Sequence, residues 1–184
     1  ACQQGDSKAL DKLYLRYYQK IFSFILRYVN DPDKAQDILQ ETFLRVYNWR
    51  EKYAPTAKFA SWLYRIARNL CIDEKRKYWN RMVDLDSQSR LEEDAQGPID
   101  LESDKGFDPR QSLDESIKMD LIRKAIESLS EEQRDVILLN KYEGLSYQEI
   151  GDILGISTES VKQRAYRAHL RLREILEPLL AERD

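Results

Sequence analysis

Histidine occurs once in the 184 residues, cysteine twice, proline five times and glycine six times. Each shortage excludes something. With His169 alone there is no His-rich metal site, and Cys2 and Cys71 stand far apart without a CxxC partner, so neither a zinc ribbon nor a disulfide scaffold fits. Cys71 falls beside the apolar stripe of an expected helix, which suits a buried, inert thiol. No HExxH, Gly-rich phosphate loop or GxSxG elbow occurs, so no metal, no cofactor and no catalytic activity is expected. No run of about 18 apolar residues is present to span a bilayer. The chain opens on Ala-Cys-Gln-Gln-Gly-Asp rather than on a basic stretch leading into an apolar one, and a soluble cytoplasmic protein is expected. So few turn residues, set against abundant Leu, Ala, Glu, Lys, Arg and Gln, argue against a sheet with many tight turns and for an all-α fold.

The net charge of −3 looks wrong for a nucleic-acid binder until it is divided along the chain. Asp84 to Glu115 holds eleven acidic residues against three basic ones, so the remainder is net positive. The positive charge gathers in two windows. Lys58 to Arg81 has seven basic and two acidic residues, and Thr158 to Arg173 has five basic and one acidic.

Apolar residues at steps of three and four mark the helices. Leu10, Leu13, Tyr14, Tyr17, Ile21, Phe24, Ile25 and Tyr28 define one over 8–28. Asp31-Pro32 caps and opens a second, which turns Ala35, Ile38, Leu39, Phe43, Val46 and Tyr47 inward and stops near Trp49. Phe59, Trp62, Leu63, Ile66, Ala67 and Leu70 define a third running towards Trp79. Three helices with facing stripes make a bundle. Residues 83–112 then lose all periodicity and read as an acidic linker. Periodicity resumes with Ile117, Leu121, Ile122, Ala125, Ile126 and Leu129, followed by a capping box at Ser130-Glu131-Glu132-Gln133. The expected organisation is a helical domain over 5–82, the linker over 83–112 and a second helical domain over 113–182, with no repeat between the two.

The second domain carries the most specific pattern in the chain. Gly144 can end a helix, and Ser146-Tyr147-Gln148-Glu149 is a second capping box for a short helix with Ile150, Ile153 and Leu154 inward. Gly155-Ile156-Ser157 then makes a three-residue turn: Gly155 suits the left-handed closing position, Ile156 plugs the angle and Ser157 caps the following helix. This predicts a helix-turn-helix. On the last helix Val161, Ala165, Ala168 and Leu172 form the buried stripe. One flank carries Ser160, Arg164, Arg167 and Arg171, the other Lys162, Tyr166, His169 and Arg173. With Thr158 and Gln163 near its start, this helix can meet phosphates and guanine edges, its N-terminal part nearest the bases. The bland alternative is a solvated basic helix in a bundle.

In the first domain Arg65, Arg68 and Arg76 line one outer stripe beside aromatic residues, which suits nucleic acid. Aromatics at helical spacing are more often core than stacking platform, and Trp62 is expected in the core. With Ala35-Gln36-Asp37-Ile38-Leu39-Gln40-Glu41-Thr42-Phe43, Trp62-Leu63-Tyr64-Arg65-Ile66-Ala67-Arg68-Asn69 and Tyr142-Glu143-Gly144-Leu145-Ser146-Tyr147-Gln148-Glu149-Ile150 in that order, the chain resembles the extracytoplasmic-function sigma factors from about Gly5 to Leu180.

The resemblance implies a region-2 domain, a tether and a region-4 domain. It implies that Asp37, Gln40, Glu41, Leu44 and Asn48 dock on the clamp helices of the largest RNA polymerase subunit, and that the second domain meets the flap of the second-largest. Asp37, Glu41, Leu44 and Asn48 do share one side of their helix, opposite the core; a solvated acidic face is the alternative. It implies that the loop from Tyr53 to Phe59 captures a flipped base of the minus-10 element. Lys58, Phe59, Arg65, Arg68, Asn69, Lys75 and Arg76 would hold the single strand and so recover the cost of extruding the base. Tyr53-Ala54-Pro55-Thr56 replaces the Phe-Arg-Gly pattern common in relatives. Thr158, Ser160, Lys162, Gln163, Arg164, Arg167 and Arg171 would read the minus-35 duplex. The acidic tether is either a spacer or a mimic of RNA in the exit path. An anti-sigma factor, which could hold the protein at the inner membrane face, is implied as a further partner. Two other functions fit parts of the pattern: a helix-turn-helix regulator with an N-terminal sensing domain, and an adaptor that binds polymerase but never DNA.

Overall fold

The computed structural model describes residues 7–53, 58–86 and 109–181. Among them are seven α-helices and no strand: α1 (Ser7–Val29), α2 (Pro32–Asn48), α3 (Phe59–Asp86), α4 (Pro109–Glu127), α5 (Glu131–Ile137), α6 (Tyr147–Leu154) and α7 (Thr158–Ala181). A 3-10 turn at Arg50–Lys52 follows α2, and a π-helical turn at Leu138–Tyr142 follows α5. The fold is all-α.

Local chemistry sets the helix boundaries. Between α1 and α2, Asn30 takes the left-handed conformation at φ 56°, which asparagine tolerates better than most side chains. The Asp31 carboxylate then accepts the Lys34 N–H at 3.0 Å, and Pro32 fills the first helical position. That bond holds the Asp31 carboxyl below its ordinary range. At the far end the Trp49 N–H reaches back to the Arg45 carbonyl.

Packing does not follow chain order. Among the described residues, one compact unit comprises those up to residue 86 together with Leu138–Lys162, the other those from 109 to 137 together with 163–181. In the first unit Ile21, Phe24, Ile25 and Tyr28 of α1 meet Ala35, Leu39 and Val46 of α2 and Leu63, Ala67 and Cys71 of α3, all buried. Burying each larger side chain stabilises by roughly 1.5–3 kcal/mol. Edge-to-face ring pairs join the helices, Tyr14 on Phe43 at 4.8 Å and Phe24 on Tyr64 at 5.4 Å. Leu138, Leu139, Ile150, Ile153 and Val161 complete this unit's apolar interior. Tyr47, expected to face inward, is 44% exposed. It lies one residue past Val46 and so falls off the stripe, where its ring carries the Arg50 guanidinium at 4.5 Å.

In the second unit Ala125, Ile126 and Leu129 face Val136 and Ile137, with Ala165 and Ala168 also buried. Arg134 ends α4: its guanidinium donates to the carbonyls of Ile126 at 3.2 Å and Leu129 at 3.0 Å, and to that of Glu127. It thereby satisfies acceptors that a helix end leaves open. α3 continues to Asp86 and α4 begins at Pro109, so both edges of the range expected as linker are helical. The rest of that linker, the loop residues 54–57 and Cys2 lie outside the described residues.

Candidate nucleic-acid interface

The turn between α6 and α7 is built by three devices. Ser146 and Glu149 cap α6 reciprocally, each side chain meeting the other's backbone N–H, at 3.3 and 3.0 Å. Gly155 closes α6 in the left-handed conformation at φ 69°. Ser157 opens α7, its hydroxyl accepting the Ser160 N–H at 3.1 Å. A fourth device was not read from the sequence. A methyl group on Gly151 would stand 2.8 Å from the Ile156 carbonyl oxygen, so the turn crosses α6 where only hydrogen fits. The signal was present as a glycine inside a short helical pattern.

Along α7 the outer face presents Thr158, Lys162, Gln163 and Arg167, all exposed, and Tyr166 at 67% exposure. Lys162 lies 3.4 Å from Glu159 and Arg171 lies 3.0 Å from Glu174, loose surface pairs that phosphates can replace. Two of the expected readers are differently engaged: Ser160 shares its hydroxyl with Ser157 at 2.9 Å, and Arg164 reaches sideways to Glu132 at 3.0 Å. His169 is exposed, its Nδ1 2.7 Å from the Ala165 carbonyl.

At the start of α3 four rings pack together. Tyr53 stands 5.1 Å from Trp62, Phe59 stands 5.9 Å from both, and Tyr17 of α1 meets Phe59 at 5.6 Å. Trp62 is half-buried, neither core nor free platform. From this cluster the basic residues continue along α3. Arg68 donates to Asn69 at 3.4 Å, Lys75 sits over the Tyr28 ring at 5.3 Å, and Arg76 is exposed. Lys58 and Arg65 meet α6. The Lys58 Nζ donates to Glu149 Oε1 at 2.8 Å, and Arg65 donates from Nε to the Ile153 carbonyl at 3.1 Å and from Nη2 to that of Asp152. The Lys58 hydrogen bond, with the N–H of Ser146, holds the Glu149 carboxyl at about 2.

Beside these contacts the buried Tyr64 hydroxyl donates to Glu143 Oε2 at 2.6 Å, while Arg27 stands 3.6 Å from the same carboxylate and 4.7 Å from the Tyr142 ring. Burial pushes the Glu143 carboxyl above its ordinary range and that of the Tyr64 phenol well above. On α2, Asp37, Gln40 and Asn48 are exposed, Leu44 is 54% exposed, and Glu41 accepts the Arg45 Nε at 2.7 Å. A groove of about 430 Å³ runs between Asp37, Glu41 and Arg45 on α2 and Asp73, Arg76 and Lys77 on α3.

Residues 13–81 match the model of Sigma-70 region 2, and residues 119–172 that of Sigma-70, region 4. The chain is 32% identical over 183 residues to the RNA polymerase sigma-H factor of Pseudomonas aeruginosa, covering 98% of this chain and 92% of that one. It is 30% identical to the ECF RNA polymerase sigma-E factor of Escherichia coli, covering 97% and 92%. The chain belongs to the extracytoplasmic-function sigma factors. A solved relative is the sigma factor RpoE of Bartonella quintana in complex with the anti-sigma factor NepR, with a TM-score of 0.69 at 26% identity, covering 92% of this chain and 98% of that one. As a sigma factor the chain binds core RNA polymerase and promoter DNA and directs promoter-specific initiation. Sigma factors act as initiation factors rather than as enzymes. No helix among the described residues is long and apolar enough to cross a membrane.

Proposed function

We propose that this sigma factor divides promoter recognition between two helical domains, 5–82 and 113–182, tethered by the acidic segment 83–112. The observation that carries the assignment is α7: a helix-turn-helix with Lys162, Gln163 and Arg167 exposed on its outer face. These three, with Thr158, Ser160, Arg164 and Arg171, read the minus-35 duplex, bases by the first turns and phosphates by the arginines beyond. Lys58, Phe59, Arg65, Arg68, Asn69, Lys75 and Arg76 grip the minus-10 single strand. The Tyr53, Phe59 and Trp62 rings supply stacking surface for an extruded base, at roughly 1–3 kcal/mol per stacked base. Asp37, Gln40, Glu41, Leu44 and Asn48 dock on the clamp helices of the largest polymerase subunit, Leu44 supplying an apolar anchor amid polar neighbours. The second domain meets the flap of the second-largest subunit.

Base extrusion is driven by stacking and phosphate contact, without nucleotide hydrolysis and without catalysis by this chain. The protein acts in the cytoplasm. By its likeness to the Bartonella factor bound to NepR, it is held inactive by an anti-sigma factor, which can keep it at the inner membrane face. A ligand-sensing regulator is disfavoured because the N-terminal half matches Sigma-70 region 2.

The test separates the two domains on a promoter mapped with this protein and core polymerase. K162A/R167A should weaken duplex binding and flatten discrimination among minus-35 sequences. R68A/R76A should leave closed-complex affinity in place and lower permanganate reactivity at minus-10 thymines. The reverse pattern overturns the division.

A further inference from the structure

Among the described residues, Arg164 differs from the other paired cations of α7. Lys162, Arg171 and Arg173 pair with Glu159, Glu174 and Glu177, each three or four positions away on α7 itself. The Arg164 Nη2 instead donates at 3.0 Å to Oε1 of Glu132, 32 positions back in the first turn of α5. Both ends of this pair are fixed. α5 opens on the Ser130–Gln133 box and is anchored by the three carbonyls that Arg134 engages, and its Val136 and Ile137 are buried. On α7 the next residue, Ala165, is buried as well. The Arg164 side chain is only 25% exposed. Holding it in place therefore forfeits little of the rotamer freedom that makes most surface ion pairs worth nothing. Arg164 lies about 100° round the helix from Gln163, close to the buried stripe, so with the outer face of α7 in the major groove it points at a phosphate strand and not at base edges. Glu132 takes one guanidinium N–H, and the rest of the fork is left for a phosphate.

We propose that Glu132 is a positioning residue for minus-35 recognition: it holds the Arg164 guanidinium where a phosphate of the correctly docked duplex meets it, and its charge withholds that arginine from phosphates in other registers. The inference rests on the assignment of Arg164 to the minus-35 duplex. Lys162, Gln163 and Arg167 can tell sequences apart only when α7 sits in one register, and phosphate contacts set that register. A free arginine strengthens binding to any DNA, because each phosphate neutralised releases a counterion whatever the sequence. An arginine already balanced by a carboxylate adds little to that indiscriminate attraction, yet still supplies a directed hydrogen bond at the right site. Glu132 thus lowers affinity for DNA in general and raises discrimination.

Holoenzyme formed from the full chain and core polymerase tests this, titrated over a range of salt with the mapped promoter duplex and with the same duplex carrying a scrambled minus-35 element. The parent is compared with E132A, R164A and E132A/R164A. In E132A, affinity for the scrambled duplex should rise about threefold, and log affinity should fall more steeply with log salt by about 0.9, as for one phosphate more. Preference for the promoter should fall about threefold or more. E132Q keeps an oxygen that accepts the Arg164 N–H but not the charge, so it should steepen the slope as E132A does and retain more of the preference. In the R164A background, E132A should leave the preference unchanged, which separates the pair from a mere loss of negative charge near DNA. If R164A itself costs no promoter affinity, the assignment of Arg164 to the duplex fails whatever Glu132 does. If R164A does cost affinity, yet E132A shifts the preference equally with and without Arg164 or not at all, the positioning role is overturned and the assignment stands.

Discussion

Replacing Gly151 by alanine sets two effects of opposite sign against each other. Alanine in place of glycine inside a helix stabilises by about 1 kcal/mol. Here, however, the added methyl would stand 2.8 Å from the Ile156 carbonyl oxygen and 3.7 Å from the Thr158 nitrogen. That oxygen is main chain, in a turn tied to the same residue by the Ile156 N–H on the Gly151 carbonyl at 3.1 Å, so it cannot swing aside as a side chain could. Relief requires prising the turn away from α6, and overpacking of this kind costs about 1–3 kcal/mol. Because the atom met is main chain, the cost should fall in the upper part of that range, about 2–3 kcal/mol, for a net loss of about 1–2 kcal/mol and a lowering of Tm by about 2–8 °C in a chain of this length. Thermal unfolding followed by circular dichroism at 222 nm reads the sign directly. Minus-35 binding by the variant holoenzyme should fall as well, because α7 is aimed by this crossing. At Gly155 the problem is conformational: φ is 69° with open space around the position, so alanine there should cost about 1 kcal/mol and asparagine less. A Gly151→Ala protein that melts at or above the parent would refute the steric account of the turn.

Other outcomes follow from the same structure. Ser146→Ala removes the hydroxyl that accepts the Glu149 N–H and should cost about 1 kcal/mol in urea unfolding, while Ser146→Asp should retain most of the stability. Leu44→Asp, on an exposed position, should leave the melting curve unchanged and lower affinity for core polymerase at least tenfold, about 1.4 kcal/mol, in a pull-down titration. Arg167→Ala should weaken promoter binding across sequences and reduce the slope of log affinity against log salt by about one. The Glu149 carboxyl, held at about 2 by Lys58 and Ser146, contributes stability that is full above its ordinary value of 4.5 and is lost as pH falls from there towards 2. Glu143, raised by burial, behaves oppositely: the folded state takes up a proton before the unfolded state does, so acidification through its raised range favours folding. Urea midpoints for Glu149→Gln should therefore decline less between pH 4.5 and pH 3 than those of the parent.

Most of the helical scaffold was legible in the sequence because its signals are local. Asp31-Pro32, the serine boxes at 130 and 146 and the Gly155 turn all appear where the residue types require them. The period of three and four picked out Ile21, Phe24 and Ile25 as buried. It misplaced Tyr47 because a residue at the edge of a stripe is placed by its neighbour, here the Arg50 guanidinium, and not by periodicity. What remained illegible is what joins distant residues. Glu149 reads as a helix cap, and nothing local ties it to Lys58, 91 positions away. Nothing local pairs Tyr64 with Glu143, 79 positions away, although the hydroxyl of one donates to the carboxylate of the other. Arg164 has the spacing of a base reader, while its pairing with Glu132 depends on how α5 lies in the second unit.

As a sigma factor this chain gives core polymerase its promoter choice. The most direct measurement mixes the purified protein with sigma-free core polymerase and a genomic promoter library and sequences the 5′ ends of the transcripts. Starts preceded by one shared minus-35 and minus-10 pair at fixed spacing, abolished by Leu44→Asp, are the predicted result. Absence of both core binding and specific starts, with the protein alone retaining palindromic duplexes, would contradict it.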